Sequence, residues 1–102
     1  MPKLDNQNRI LVPKNLLRIA KTDFSEELRL YLYGTDFYID NPSVKNSRNA
    51  CLGKIILNEK GRFTIPKLAR QVLGLKENDN ITCFLLDDKV TFRKIFFIPE
   101  NR

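Results

Sequence analysis

Residues 4–14 and 57–67 carry the same pattern. Leu4 and Leu57, Arg9 and Arg62, Pro13 and Pro66, and Lys14 and Lys67 each stand 53 residues apart. At the same offset Ile10 matches Phe63, Val12 matches Ile65, and Asp5 matches Asn58, both short polar residues that favour the start of a turn. A pattern held in register over this length is the mark of an internal repeat. The chain has 102 residues, so each copy is too small to bury a core alone, and the two are expected to share one core in a single domain.

The turn chemistry agrees. Asn58-Glu59-Lys60-Gly61 separates the apolar runs Ile55-Ile56-Leu57 and Phe63-Thr64-Ile65, and a hairpin loop of this length commonly needs a residue with positive φ. Gly61 supplies it in the second copy. Asn8 stands at the matching position in the first, and Asn is the residue after Gly that best tolerates that region.

A short helix should follow each hairpin, because Pro13 and Pro66 suit a first helical turn that needs no N–H. The second helix would turn Leu68, Ala69, Val72 and Leu73 to one face and stop at Gly74. The first would use Leu16, Leu17 and Ala20 and run to about Lys21, with one residue gained or lost before Phe24. Two strands close each copy. Residues 27–33 alternate, with Leu28, Leu30 and Leu32 on one side; Gly34-Thr35-Asp36 turns the chain and Phe37-Tyr38-Ile39 returns. In the second copy Ile81 to Leu86 runs out, Asp87-Asp88-Lys89 turns, and residues 90–94 return. The fold class is therefore mainly β with two short helices, from two ββαββ-like repeats. The first copy spans residues 1–40 and the second 50–94. Residues 41–49, rich in Asn, Ser and Pro, read as the linker. Residues 95–102 form a tail whose apolar start reads as a strand extension over the core or as a partner surface.

Composition narrows the function. No apolar run approaches the ~20 residues of a membrane span, and the start of the chain lacks the apolar core of a signal peptide, so a cytoplasmic protein is expected. The net charge of +6 suits nucleic acid or another acidic partner. There is no His, and Cys51 and Cys83 are far apart. The usual zinc patterns and Ser-His-Asp or Cys-His arrangements are thus absent, and neither an enzyme nor a bound metal or cofactor is expected. Cys83, in an apolar run, reads as a buried small hydrophobe.

The string Asn58-Glu59-Lys60-Gly61-Arg62-Phe63-Thr64-Ile65-Pro66, followed by Ala69-Arg70, Leu73-Gly74-Leu75 and Asp79, resembles the AbrB-type swapped-hairpin DNA-binding domain, a group that includes SpoVT-type proteins. Asp5-x-x-x-Arg9 resembles the paired motif of MraZ-type proteins, which carry two such units in one chain. The likeness covers nearly all of residues 4–94 and is closer in the second copy. It implies a pseudo-two-fold, swapped-hairpin β-barrel with interleaved hairpins. It also implies a transcriptional regulator that contacts double-stranded DNA, often as a homo-oligomer, with no membrane and no small-molecule substrate. The family's loop arginine falls on Arg62 and Arg9. Its helix arginine pair falls on Arg70-Gln71 and Leu17-Arg18, so each copy keeps one of two. A further basic position falls near Lys54, one residue out of register, and the first copy has almost no strand ahead of its turn.

The candidate DNA-contacting residues are Arg9, Arg62, Lys14, Lys67, Arg18, Arg70, Lys54 and Lys60. Arg9 and Arg62 offer a rigid fork for phosphate or guanine, or else pair locally with Asp5 or Glu59. Arg18 and Arg70 contact DNA or lie on a solvated helix face. Lys14 and Lys67 sit at helix starts, where a cation opposes the dipole, which hints at an anionic partner. Tyr31, Tyr33, Phe37 and Tyr38 read as cross-strand packing before a base-stacking platform. Asp87 and Asp88 read as turn formers and not as a catalytic carboxylate pair. The competing functions are the antitoxin of a MazE-like toxin–antitoxin pair, which usually carries a longer tail, and an oligomerisation module that does not bind DNA.

Overall fold

A computed structural model describes residues 3–96. Each copy begins with a tight turn and a three-residue strand, β1 (Arg9–Leu11) and β5 (Arg62–Thr64). The two turns repeat the same bonds to the backbone. Asp5 Oδ1 accepts from the backbone N–H of Gln7 and Arg9, both at 2.8 Å. Asn58 Oδ1 accepts from Lys60 at 3.0 Å and Arg62 at 2.9 Å. Asn8 has φ 60° and Gly61 φ 83°, as the turn chemistry requires. Gly61 is also the closer fit, since a Cβ there would lie 3.1 Å from the Val12 carbonyl oxygen.

Pro13 and Pro66 end the strands and precede α1 (Lys14–Ile19) and α2 (Lys67–Leu73). α1 is shorter than expected: it stops at Ile19, and Ala20 is already extended. α2 is capped by Gly74, as expected. The expected apolar face of α2 is corrected in part. Ala69 is buried and Leu73 packs on the core, but Leu68 and Val72 are 51% and 52% exposed.

The strands that close each copy are β2 (Leu28–Tyr33) with β3 (Asp36–Asp40), and β6 (Ile81–Leu86) with β7 (Lys89–Lys94). β2 and β6 start 53 residues apart, as do their ends, so no net gain or loss of a residue separates the copies. Both hairpins are tighter than expected. Tyr33 pairs with Asp36 and Leu86 with Lys89, leaving the two-residue turns Gly34-Thr35 and Asp87-Asp88. Asp87 and Asp88 both have positive φ, which is the chemistry of a type I′ turn.

The linker is more ordered than its composition suggests. It contains a 3-10 turn, Lys45–Arg48, and leads into β4 (Cys51–Ile55). Asn46 is 1% exposed and ties the linker to the sheet. Its Nδ2 donates to Asp40 Oδ2 at 2.8 Å, Asn41 O at 2.9 Å and Ser43 Oγ at 3.2 Å, and its Oδ1 accepts from Tyr38 Oη at 2.6 Å. Among the described residues no buried side-chain polar atom lacks a partner.

Two sheets result. β1 pairs with β5, and the other five strands run in the order β4-β2-β3-β7-β6. All the strand pairings are antiparallel. Among the described residues the ladders do not close into the expected barrel: β4 and β6 are open edges and the β1/β5 ribbon is a separate layer. The ribbon strands are too short to bridge the layers, because each runs into a proline that cannot donate to a ladder. What joins the layers is chiefly apolar packing, with Leu4 at the start of the first turn also bonded through its backbone to Asn78 and Asp79 just ahead of β6. Ile10, Val12, Phe63 and Ile65 from the ribbon side meet Leu30, Phe37, Ile39, Val90 and Phe92 from the sheet. Phe63 lies edge-on to Phe92, which stacks on Phe37.

The aromatic residues behave as packing. Of the four aromatics on β2 and β3, Tyr31, Phe37 and Tyr38 are buried, with Tyr31 stacked on Tyr38, and Tyr33 is exposed. Cys83 is partly buried, and burial pushes its thiol up to about 12. In the tail, Ile95 and Phe96 follow β7 outside any strand, and residues 97–102, the rest of the expected extension, lie outside the described residues. No helix among the described residues is long and apolar enough to cross a membrane.

Candidate nucleic-acid interface

The register of the ribbon decides where the loop arginines point. Arg9 opposes Thr64, Ile10 opposes Phe63, and Leu11 opposes Arg62. Side chains alternate along a strand, so burying Ile10 and Phe63 sends Arg9, Leu11, Arg62 and Thr64 to the other face. Arg9 and Arg62 are then diagonal neighbours, with Cα atoms about 7–8 Å apart.

The ribbon also crosses the copies over. The Val12 N–H donates to Gly61 O at 2.8 Å, and the Ile65 N–H donates to Asn8 O at 2.8 Å. The turn that carries Arg62 therefore abuts the chain just ahead of Lys14. The turn that carries Arg9 abuts the chain just ahead of Lys67. β4 approaches from the side: a Cβ on Gly53, whose φ is 134°, would meet Pro66 Cβ and Cγ at 2.9 Å. Lys54 shares a surface groove with Ile56, Thr64 and Pro66.

The eight candidates differ in how free they are. Arg9 is leashed: its Nε donates to Asp5 Oδ2 at 2.9 Å. Asp5 sits below the usual carboxylate range, chiefly because the Arg9 N–H donates to it, with the Arg9 side chain adding to the effect. Lys54 lies 3.8 Å from Glu27, which Arg29 also holds. Arg70 donates from Nε to Ile65 O at 3.2 Å, which turns it back toward the end of β5. Among the described residues the side chains of Arg62, Lys14, Lys67, Arg18 and Lys60 have no hydrogen bond or ion pair. Glu59, a possible partner for Arg62, does not pair with it. The second copy has Asn58 where the first has Asp5, so its turn keeps the same backbone bonds without a carboxylate.

Leu11 and Thr64 were missed as members of this face. Their signal was present, since each stands two residues from a loop arginine on a strand. A Thr hydroxyl can hold a phosphate, and an apolar side chain can meet a thymine methyl. No protein-family model, no curated protein and no solved structure matches the chain.

Proposed function

We propose that this chain binds double-stranded DNA through the outer face of the β1/β5 ribbon and acts as a transcriptional regulator of the AbrB- and MraZ-like type. The observation that carries this is the ribbon register, which turns both loop arginines outward beside exposed lysines, while Asn58 at the position of Asp5 leaves Arg62 without a carboxylate partner among the described residues. The phosphates fall to Lys14 and Lys67. The groove edge falls to Arg62, with Arg9 weaker because Asp5 holds it.

A pseudo-two-fold, swapped-hairpin arrangement belongs to this reading. Two features support it. The β1/β5 and β3/β7 ladders each contain a pair of residues 53 apart, Ile10 with Phe63 and Tyr38 with Thr91. Each turn also bonds the strand end of the other copy. Two related patches suit DNA read as half-sites. The reading involves no catalytic step and no cofactor. It envisages a cytoplasmic protein that assembles further into homo-oligomers.

Fluorescence anisotropy on the duplex upstream of its own gene and on random duplexes, across a salt series, tests it. Binding should fall with a log–log slope of about −0.9 per phosphate neutralised. Arg62→Ala should cost roughly 1–3 kcal/mol and relax sequence preference, whereas Lys67→Ala should weaken all duplexes alike and flatten the slope by about one. Wild-type protein that shows no salt-dependent binding to any duplex overturns the function. An Arg9/Arg62 double variant that folds and binds as tightly as wild type overturns the face.

A further inference from the structure

The two copies meet along a second seam, where β3 pairs with β7. Tyr38 opposes Thr91 and Phe37 opposes Phe92. Phe37 and Phe92 turn into the core, so the seam's other face carries Asp36, Tyr38 and Asp40 on β3 against Arg93, Thr91 and Lys89 on β7. Both ends are ion-paired. Arg93 grips Asp36 with two bonds, Nε to Oδ1 at 2.9 Å and Nη2 to Oδ2 at 2.8 Å. Lys89 lies 3.5 Å from Asp40 Oδ2 and sits over the Tyr38 ring. Asp36 is buried, and Asp40 also accepts from Asn46 and Thr22, so these pairs are more desolvated than ordinary surface pairs.

At the 53-residue offset Asp36 matches Lys89 and Asp40 matches Arg93. The two ion pairs therefore occupy the same pair of positions with the signs exchanged: the first copy is acidic at both and the second is basic at both. A β3 strand paired in this register with β3 of another molecule would set Asp36 against Asp40. A β7 strand paired with β7 would set Lys89 against Arg93. Like charges directly opposite are destabilising. The ribbon has no such code, since Arg9 and Arg62 carry the same sign at matched positions.

We propose that this charge division is a pairing code: the β3 seam accepts only a β7 strand, so each first copy is matched with a second copy and never with another first copy. The partner that this surface fits is a basic strand with cations four residues apart, and the chain's own β7 supplies it. The inference stands apart from DNA binding, because none of the four residues lies on the ribbon face.

The test uses three full-length variants, with urea unfolding and sedimentation at matched concentration. The all-basic variant carries Asp36→Arg and Asp40→Lys. The all-acidic variant carries Lys89→Asp and Arg93→Asp. The exchanged variant carries all four changes. Each double variant should lose at least about tenfold in folding equilibrium constant, the coupling expected of contacting charges. The exchanged variant should recover the ion-pair part of that loss, the bonds of Asp40 to Asn46 and Thr22 staying broken. Mixing the all-basic and all-acidic chains should give a one-to-one complex that neither forms alone, with β3 of one chain on β7 of the other. The proposal is overturned if the double variants unfold at the wild-type midpoint. It is equally overturned if the exchanged variant is no more stable than the doubles, or if the mixture sediments as the sum of its parts.

Discussion

Replacing Asp5 with Asn would convert the first turn into the chemistry of the second, and the protein contains its own control for the change. Asn58 already accepts two backbone N–H groups at 3.0 and 2.9 Å, where Asp5 accepts its pair at 2.8 Å. Asp5→Asn should therefore keep the turn. What it removes is the ion pair to Arg9, whose partners are 36% and 32% exposed, and such a pair contributes roughly 0–1 kcal/mol. The loss should depend on pH in one direction. Asp5 is held below its ordinary value in the folded chain, so its contribution is present above the unfolded carboxylate range and fades as pH falls through the folded value. The gap between wild type and variant should be widest near neutrality and close in acid. On DNA the sign reverses. Freeing Arg9 and removing one negative charge should tighten binding about fivefold at low salt, the effect of one unit charge about 4 Å away in water, and steepen the salt slope by about 0.9. Urea unfolding at several pH values and anisotropy on one duplex supply both measurements. A stability loss above about 1.5 kcal/mol, or an unchanged salt slope, would refute the reasoning.

Asn46→Ala should strip the Tyr38 hydroxyl of its acceptor and Asn41 O of a donor, costing about 2–4 kcal/mol and at least about 8 °C in Tm by calorimetry, whereas the neighbouring exposed Ser47→Ala should change little. Gly53→Ala should be more costly than Gly34→Ala in urea unfolding: both have positive φ, but only Gly53 would drive a methyl into Pro66, whereas Gly34 has open space around it. A thiol-reactive dye at neutral pH should label exposed Cys51 quickly and Cys83 slowly, with Cys83 catching up only in denaturant or as pH approaches 12; equal rates in the native protein would contradict its burial.

The parts of the fold that were legible in the sequence are those set by local chemistry. Asn8 and Gly61 announce a positive φ, Pro13 and Pro66 announce helix starts, and Leu28, Leu30 and Leu32 announce a face by alternation. What was not legible depends on partners far along the chain. Periodicity puts Leu68 and Val72 beside Ala69, but a seven-residue helix that buries only Ala69 fully leaves the rest of the stripe in water. Asn46 sits in a segment whose composition reads as loop, and its burial follows from Tyr38 and Asp40 on a strand already passed. The eight candidate residues were all visible as cations. Which of them are held was not visible, except that Asp5 lay four residues from Arg9. Glu27 reaches Lys54 only because β2 pairs with β4.

The β1/β5, β2/β4 and β3/β7 ladders that join the copies all link strands of one polypeptide, and a short linker, itself pinned by Asn46, connects the copies. A site assembled from two separate chains is lost on dilution, since its halves part below their dissociation constant. Here the second half arrives at the effective concentration of a short tether, on the order of millimolar. The folded fraction should then be the same at nanomolar as at micromolar protein, and under the proposed function a cell holding only a few molecules would still hold complete DNA-binding units.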